Sequence, residues 1–505
     1  MQARRGGVNR DRAPVSRAEN TVGRPRLPAS ILPSHRIGAD TLALQSRDVL
    51  ANLWHEFGHD SAAFEHIDLP GTEPVLPSSF AVGTAAQASI AASALAAAEL
   101  WRLKTSKRQR VRVPMRDAAI EFRSERYLRV DGAPPPDLWD KIAGTYRCGD
   151  GRWVRLHTNF PHHLYGVLAL LKCEHDRADV ERSLQGWRPE ALETAAAEAG
   201  LVVTAMRSFD EWDAHPQGRA VASLPVLSIE KIGEAPAQDL RPSERPLGGV
   251  RVLDLTRVIA GPVCGRCLAA HGADVLLITA PHLPSMLPLV IDTGRGKLSA
   301  QLNLRDEPAR ERLKELICDA DVFVQGYRPG ALEALGFGPA QVARLRPGIV
   351  YVSLSAYGHQ GPWAGRRGFD SLAQTATGFN VAEAEAASVE RPRPLPAQAL
   401  DHASGYLMAF GAMTALGRRA GEGGSWHVRV SLAQTGRWIR TLGRVAGGPD
   451  CPDPSFHDVR DRLEETASGF GKLTAARHSA ELELTPTRWT RPSVPLGTHE
   501  PAWPE

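Results

Sequence analysis

A chain of 505 residues, 43% of them hydrophobic, exceeds one ordinary core, and two or three domains are expected. Sixty Lys plus Arg against 57 Asp plus Glu leave a net charge of only +3. That argues against a nucleic-acid partner and leaves local basic clusters for a phosphorylated ligand. No apolar run reaches the ~20 residues of a membrane-spanning helix, so no membrane partner is expected. The six cysteines (148, 173, 264, 267, 318 and 451) are scattered, which fits free thiols in a reducing cytosol and a cytoplasmic protein.

Residues 1–70 read as an N-terminal extension, partly disordered, with an amphipathic piece over 41–57. Its Arg-rich start lacks the apolar core of a secretory signal. His55-Glu56-Phe57-Gly58-His59 matches the H-E-x-x-H zinc pattern formally, but Gly58 weakens the helix it needs and no extended pattern follows. No metal site is expected there. Residues 71–135 contain an Ala-rich stretch, 80–103, patterned as a closely packed helix, then a basic loop and the short strand Val111-Arg112-Val113. Residues 136–240 read as a small α+β domain, with a hairpin turning at Gly149-Asp150-Gly151 and helices over 179–214. A linker is expected over 232–246.

From residue 246 to 436 short apolar runs alternate with helical stretches: strands over 250–255, 274–279, 321–324, 349–354 and 428–430, and helices over 264–271, 307–319 and 401–418. This is the pattern of an α/β fold with a doubly wound, Rossmann-like parallel sheet. Residues 437–505 are polar and Pro-rich and read as peripheral. One repeat crosses these boundaries: residues 110–118 parallel residues 427–435, each after a small-residue helix and a polar loop. Asp401 stands before the second of those helices, where an acid either caps the helix or reacts in a pocket. In the first copy its counterpart is about Thr84 or Ala85, so that copy has no carboxylate.

Other motifs carry weaker signals. Gly261 and Gly265 do not complete a dinucleotide fingerprint. Cys264-Gly265-Arg266-Cys267 is a C-x-x-C at a helix start, with no second pair to complete a zinc site. The loop 292–297, with Arg295 and Lys297, suits a phosphate-bearing ligand. Tyr327 and Arg328 follow a strand at the edge where open α/β sheets bind ligands.

Several of these stretches together resemble class III CoA-transferases, the family of formyl-CoA transferase and carnitine CoA-transferase. The resemblance rests on residues 246–262 (Pro-Leu-Gly-Gly-Val-Arg-Val-Leu-Asp-Leu-Thr-Arg-Val-Ile-Ala-Gly-Pro), Gly-Ala-Asp-Val at 272–275, Arg295-Gly-Lys297, Ala-Asp-Val-Phe-Val at 320–324 and Tyr327-Arg-Pro-Gly330. Leu335-Gly-Phe-Gly338, Tyr357-Gly-His-Gln-Gly-Pro362 and Gly368-Phe-Asp370 continue it in the family's order. Residues 80–230 are similar, more weakly, to the family's later part. The chain thus resembles two incomplete family units joined head to tail, with residues 71–135 a degenerate partial unit and 246–436 the CoA-binding catalytic domain.

The resemblance implies that Asp401 is the catalytic nucleophile, forming an aspartyl anhydride and then an aspartyl-CoA thioester. It implies CoA contacts at Val258, Ala260, Arg295, Lys297, Tyr327 and Arg328. The substrates would be acyl-CoA and a carboxylic acid, with coenzyme A a substrate and no tightly bound cofactor. The small residues Ala399, Ala403, Ser404 and Gly405 are expected to leave room for a thioester. The assembly would be a homodimer or an intrachain pseudo-dimer. Ile259 replaces a glutamine of formyl-CoA transferases, residues 278–286 lack an expected acid and Gly-Asp, and Phe369 replaces the histidine of acyl-CoA racemases. Two alternatives stay open: an acyl-CoA racemase or isomerase, and a non-catalytic CoA-binding subunit.

Overall fold

The apolar runs of the second half assemble into a seven-stranded sheet in the computed structural model, which describes residues 43–504. Its strands are β1 (Leu227–Gly233), β2 (Arg251–Leu255), β3 (Asp274–Thr279), β4 (Lys297–Gln301), β5 (Val322–Gln325), β6 (Val350–Ser355) and β7 (Ser425–Ser431). The spatial order is β4-β3-β2-β5-β6-β7-β1, with only the β7–β1 pair antiparallel. The strand order reverses between the parallel β2 and β5, and the crevice beyond their carboxyl ends is where such sheets take ligands. Val252, Leu253, Val322, Phe323, Val324, Val350 and Val352 are all inaccessible, as strands covered on both faces must be.

Four helices position the site: α1 (Val82–Thr105), α2 (Ala260–Ala270), α3 (Asp370–Thr377) and α4 (Ala399–Glu422). α1 and α4 each have 24 residues, and both are buried nearly all round. Such helices need small residues where neighbours press close. A Cβ on Gly405 would lie 2.6 Å from the Ala260 carbonyl oxygen and 2.7 Å from Val263 Cβ; one on Gly411 would meet Val428 at 2.5 Å. α4 is therefore wedged between α2 and the sheet.

The first half repeats the edge of this sheet in miniature. Ile67–Asp68 pairs in parallel with Val111–Arg112, whose other side takes Glu481–Leu482 antiparallel. The same relations join β6, β7 and β1. α1 packs on α4, and the residue before each helix has the same backbone angles, φ −75° and ψ 62°. A separate antiparallel sheet, Gly144–Arg147, Trp153–Leu156 and Val203–Ala205, carries its own core of Tyr146, Val154, Leu156, Val180, Leu184 and Leu192. Its first two strands turn as expected at Gly151, whose φ is +81°.

Some expectations change. Residues 1–42 of the expected extension lie outside the described residues, but Ser46–Glu56 is a helix burying Leu50 and Trp54. Residues 437–504 are not peripheral: they supply the hairpin Leu463–Ser468/Gly471–Ala476, and Trp489 seats against Arg295 with 4.1 Å from cation to ring. Isolated aromatic anchors and backbone pairing hold this segment, and neither leaves a periodic signature. The loop expected over 292–297 is a buried turn at 294–296 between the end of helix Leu287–Thr293 and the start of β4. The strand β1 likewise overlaps the expected linker. The first helix stops at Glu56 and Gly58 takes φ +75°, so His55 and His59 share no helical face; His59 instead bonds Thr414 at 2.8 Å. Cys264 and Cys267 lie buried inside α2, unlinked, and burial pushes the Cys267 thiol up to about 12. Among the described residues no helix is long and apolar enough to cross a membrane.

Candidate active site

Asp401 is the third residue of α4, within its first turn rather than its cap. Capping falls to another carboxylate. Asp370, the first residue of α3, accepts the Asp401 N–H on Oδ2 at 2.9 Å and the Leu400 N–H as well. Gln374, one turn along α3, donates to Asp370 Oδ1 at 2.5 Å and to the Ala397 carbonyl at 3.2 Å, while its own Oε1 accepts the Leu395 N–H at 2.9 Å. The start of α4 is thus tied to the start of α3.

Both carboxylates are buried, at 7% exposure for Asp401 and 1% for Asp370. Burial pushes Asp401 well above the usual carboxylate range, and the neighbouring Asp370 and Glu125 add to the rise. Burial also raises Asp370, to about 6, against the pull of its backbone and Gln374 hydrogen bonds. The pair titrates together.

The third carboxylate comes from the other half of the chain. Glu125 Oε2 pairs with Nε2 of His402, the residue after Asp401, at 3.2 Å, and both are buried. Beside it, Ser124 donates to Asp292 Oδ2 at 2.6 Å, and Arg266 reaches the same oxygen at 2.7 Å. Glu121 accepts from Tyr406 of α4 at 2.5 Å and from the Ser479 hydroxyl at 2.6 Å. Polar pairs thus bind the N-terminal half along the buried flank of α4. Sequence reading quotes Asp370 only within a motif and misses Glu125, which no spacing links to Asp401.

The coenzyme-contact expectations divide. Val258, in the loop from β2 into α2, has φ +75°, a strained position for a β-branched residue. It lines a cleft of about 520 Å³, mouth included, with Phe160, Arg257, Pro262, Leu277, Thr279, Met286 and Leu289. Ala260, buried, opens α2 and touches α4 through the Gly405 contact. Arg328 is exposed and lines a second cleft with Arg366 and Arg367, and Tyr327 is half-buried beside it in sequence.

Lys297 and Arg295 do not present free charges as expected. Lys297 Nζ donates to Asp254 Oδ2 and to the Pro262 carbonyl, both at 2.8 Å, with 2% of the residue exposed. Arg295 pairs with Asp292 at 3.2 Å and donates to the Ala476 carbonyl at 2.7 Å. Lys297 opens β4, the edge strand of the sheet, and Arg295 lies in the buried turn before it, so both charges are matched inside the fold. Nor do Ala399, Ala403, Ser404 and Gly405 leave open space: all four are buried, Gly405 against α2 and Ser404 on Thr435 at 2.7 Å.

Phe369, just before Asp370, stacks on His157 of the small domain with ring centres 4.1 Å apart. In the first half, Thr84 is the third residue of α1, the place Asp401 holds in α4. Glu73 accepts the Thr84 N–H at 2.7 Å and the Gly83 N–H, as Asp370 does for Asp401 and Leu400. The first copy therefore keeps the capping carboxylate and has a hydroxyl where the second has an acid.

The model of CoA-transferase family III matches residues 55–243 and 247–443. The acetyl-coenzyme A transferase nodX of Hypoxylon pulicicidum is 38% identical over 205 residues, 40% of this chain and 35% of that protein. An acyl-CoA transferase of Gibberella moniliformis is 29% identical over 346 residues, 60% of each chain. The matches thus span between 35% and 60% of these relatives' lengths. The orthorhombic crystal structure of Rv3272 from M. tuberculosis is 32% identical, covers 40% of this chain and 57% of that one, and superposes with a TM-score of 0.37. Both halves are matched, together well over half of the chain, and the protein belongs to CoA-transferase family III.

Proposed function

We propose that the protein is a CoA-transferase that moves coenzyme A from an acyl-CoA to a carboxylic acid, with Asp401 as the nucleophile. The observation that carries this reading is the buried Asp401 carboxylate in the first turn of α4, held through its N–H by Asp370. An Oδ of Asp401 attacks the thioester carbonyl, the C–S bond breaks, and CoA leaves as thiolate with an acyl–aspartyl anhydride behind it. The thiolate then attacks the aspartyl carbonyl, releasing the first acid as carboxylate and leaving an aspartyl-CoA thioester. The acceptor acid runs the two steps in reverse.

Such intermediates hydrolyse if water reaches them, and the burial of Asp401 protects them. The first turn of α2 meets the second turn of α4 at the Ala260–Gly405 contact, and the two helix N-termini would lie near the developing oxyanion. The coenzyme would lie in the cleft at Val258, its phosphates within reach of Arg257, Arg328, Arg366 and Arg367. Arg295 and Lys297 would shape that cleft from inside the fold. One reactive acid per chain follows, because Thr84 cannot form the anhydride. A racemase would need a proton carrier at 369, where this chain has a phenyl ring.

Labelled acid should enter acyl-CoA with ping-pong kinetics in the unaltered protein and not in Asp401→Asn. Exchange that survives in Asp401→Asn would overturn the reading. Solvent deuterium entering the α-carbon without any acceptor acid would favour the racemase instead.

A further inference from the structure

Cys267 and His271 stand four residues apart at the end of α2, on one face of its last turn, where the His271 N–H closes on the Cys267 carbonyl at 3.3 Å. His478 meets them from the C-terminal segment, just past the hairpin strand that ends at Ala476. The Cys267 sulfur and one ring nitrogen of each histidine lie within 4.8 Å of one another. All three residues are buried, Cys267 and His271 at 1% exposure and His478 at 7%.

Two observations point to a ligand among these donors. Neither ring nitrogen of His271 has a hydrogen-bond partner, and nor has Nε2 of His478. A neutral imidazole carries one N–H donor and one lone pair, so a buried ring without partners leaves both unanswered. The two rings also stand 5.6 Å apart, centre to centre, and 69° to one another. Two imidazoles on one zinc ion have their centres about 5 Å apart.

The surroundings say which ligand. Of the nearby cations, Arg266 and Arg295 are matched by Asp292, and Arg245 is held on the Ala270 and Arg488 carbonyls. Glu121 Oε2 lies 3.8 Å from His478 Nδ1, which accepts the Ala480 N–H at 3.1 Å and so leaves the ring proton on Nε2. Ligation through Nε2 moves that proton to Nδ1, toward Glu121, the carboxylate–histidine pairing that commonly stands behind a metal-bound imidazole. One soft sulfur and two imidazole nitrogens select zinc or copper(I) over the oxygen-seeking magnesium and calcium.

We propose that Cys267, His271 and His478 form a buried site for a thiophilic d10 metal ion, zinc or copper(I), which ties the C-terminal segment to α2. On loading, a metal–sulfur bond forms as the Cys267 thiol gives its proton to solvent, the imidazoles donate lone pairs, and no electron is transferred. The ion's charge ionises a thiol that burial otherwise holds up to about 12. Zinc bonds of about 2.0–2.3 Å set tetrahedral donors about 3.3–3.6 Å apart, so the side chains close by about 1 Å. Copper(I) accepts three donors and leaves the site neutral. Zinc leaves one positive charge, faced by Glu121, and takes a fourth donor, for which Ser93 Oγ stands 3.7 Å from the sulfur.

The test is metal analysis of the full chain, carrying no histidine tag, from cells supplied with zinc or with copper and desalted without chelator. The unaltered protein and a Cys264→Ala control should hold about one equivalent, and Cys267→Ser and His271→Asn about tenfold less or lower. Competition with a copper(I)-selective and a zinc-selective chelator tells the two ions apart. Cobalt grown into the site should give a thiolate-to-cobalt charge-transfer band that Cys267→Ser lacks, which a folding defect alone would not produce. Chelator should lower the Tm of the unaltered protein and leave that of Cys267→Ser unmoved. Folded, unaltered protein holding less than about 0.1 equivalent of either ion, or equal metal in Cys267→Ser and His271→Asn, would overturn the inference.

Discussion

Asp370 accepts the backbone N–H of Asp401 at 2.9 Å, so one carboxylate fixes the helix turn that carries the other. The arrangement puts two buried acids side by side; burial makes both harder to ionise, and the charge of Asp370 adds to the rise at Asp401. Raised carboxylates favour the protonated folded state. Their stabilising contribution is present in acid and is lost as pH rises through the folded values, about 6 for Asp370. The nucleophile needs the opposite, an ionised Asp401.

Activity should therefore rise with pH through an inflection above the usual carboxylate range. Asp370→Asn removes a neighbouring negative charge but keeps an oxygen for the Asp401 N–H. The inflection should move to lower pH in kcat/KM profiles. An unmoved inflection would mean that Asp370 does not tune Asp401. Asp370→Ala, which loses the cap, should also cost about 0.5–2 kcal/mol in denaturant unfolding.

The Lys297–Asp254 pair tests whether these residues serve the fold. Lys297→Met leaves Asp254 charged and unpaired in the interior, at a cost of about 3–5 kcal/mol. Combining it with Asp254→Asn should recover much of that loss. A Lys297→Met variant of normal stability with only a raised KM for CoA would instead place the lysine on the coenzyme.

Gly405 tests the convergence of α2 and α4. A Cβ there would lie 2.6 Å from the Ala260 carbonyl oxygen, and Gly405→Ala should cost about 1–3 kcal/mol as the helices separate. Urea unfolding midpoints measure it. The same variant should lower kcat, because Asp401 lies one turn away; a stable variant of full activity would contradict this packing.

Thiol labelling tests the interior of α2. With burial raising both thiols, Cys264 and Cys267 should resist iodoacetamide in the native protein at mildly alkaline pH, while exposed Cys318 reacts. Rapid loss of Cys267, read by peptide mass spectrometry, would show that this helix opens.

Much of the sheet was legible because a parallel strand covered on both faces leaves a dense apolar run, as at 250–255 and 349–354. The buried turn into β4 was not, since Arg295-Gly-Lys297 reads as a solvated loop until Asp254 and Asp292 are known to lie beside it. The repeat was legible in Val111-Arg112-Val113 against Val428-Arg429-Val430, and it placed Thr84 or Ala85 opposite Asp401; the matching helix turns single out Thr84. Glu73 and Asp370 could not be equated from sequence, because the two caps approach their helices from unrelated loops. Glu125 was invisible for a similar reason: tertiary contacts alone bring it toward Asp401.

The most direct test is to treat the protein with an acyl-CoA, quench with hydroxylamine and locate the adduct by peptide mass spectrometry. The thioester at the nucleophile would become a hydroxamate, with CoA thiol released. The account predicts one modified residue per chain, Asp401, no adduct on the peptide containing Thr84 and Glu73, and none in Asp401→Asn. An adduct on another residue, or CoA exchange by a protein that Asp401→Asn leaves fully active, would contradict it.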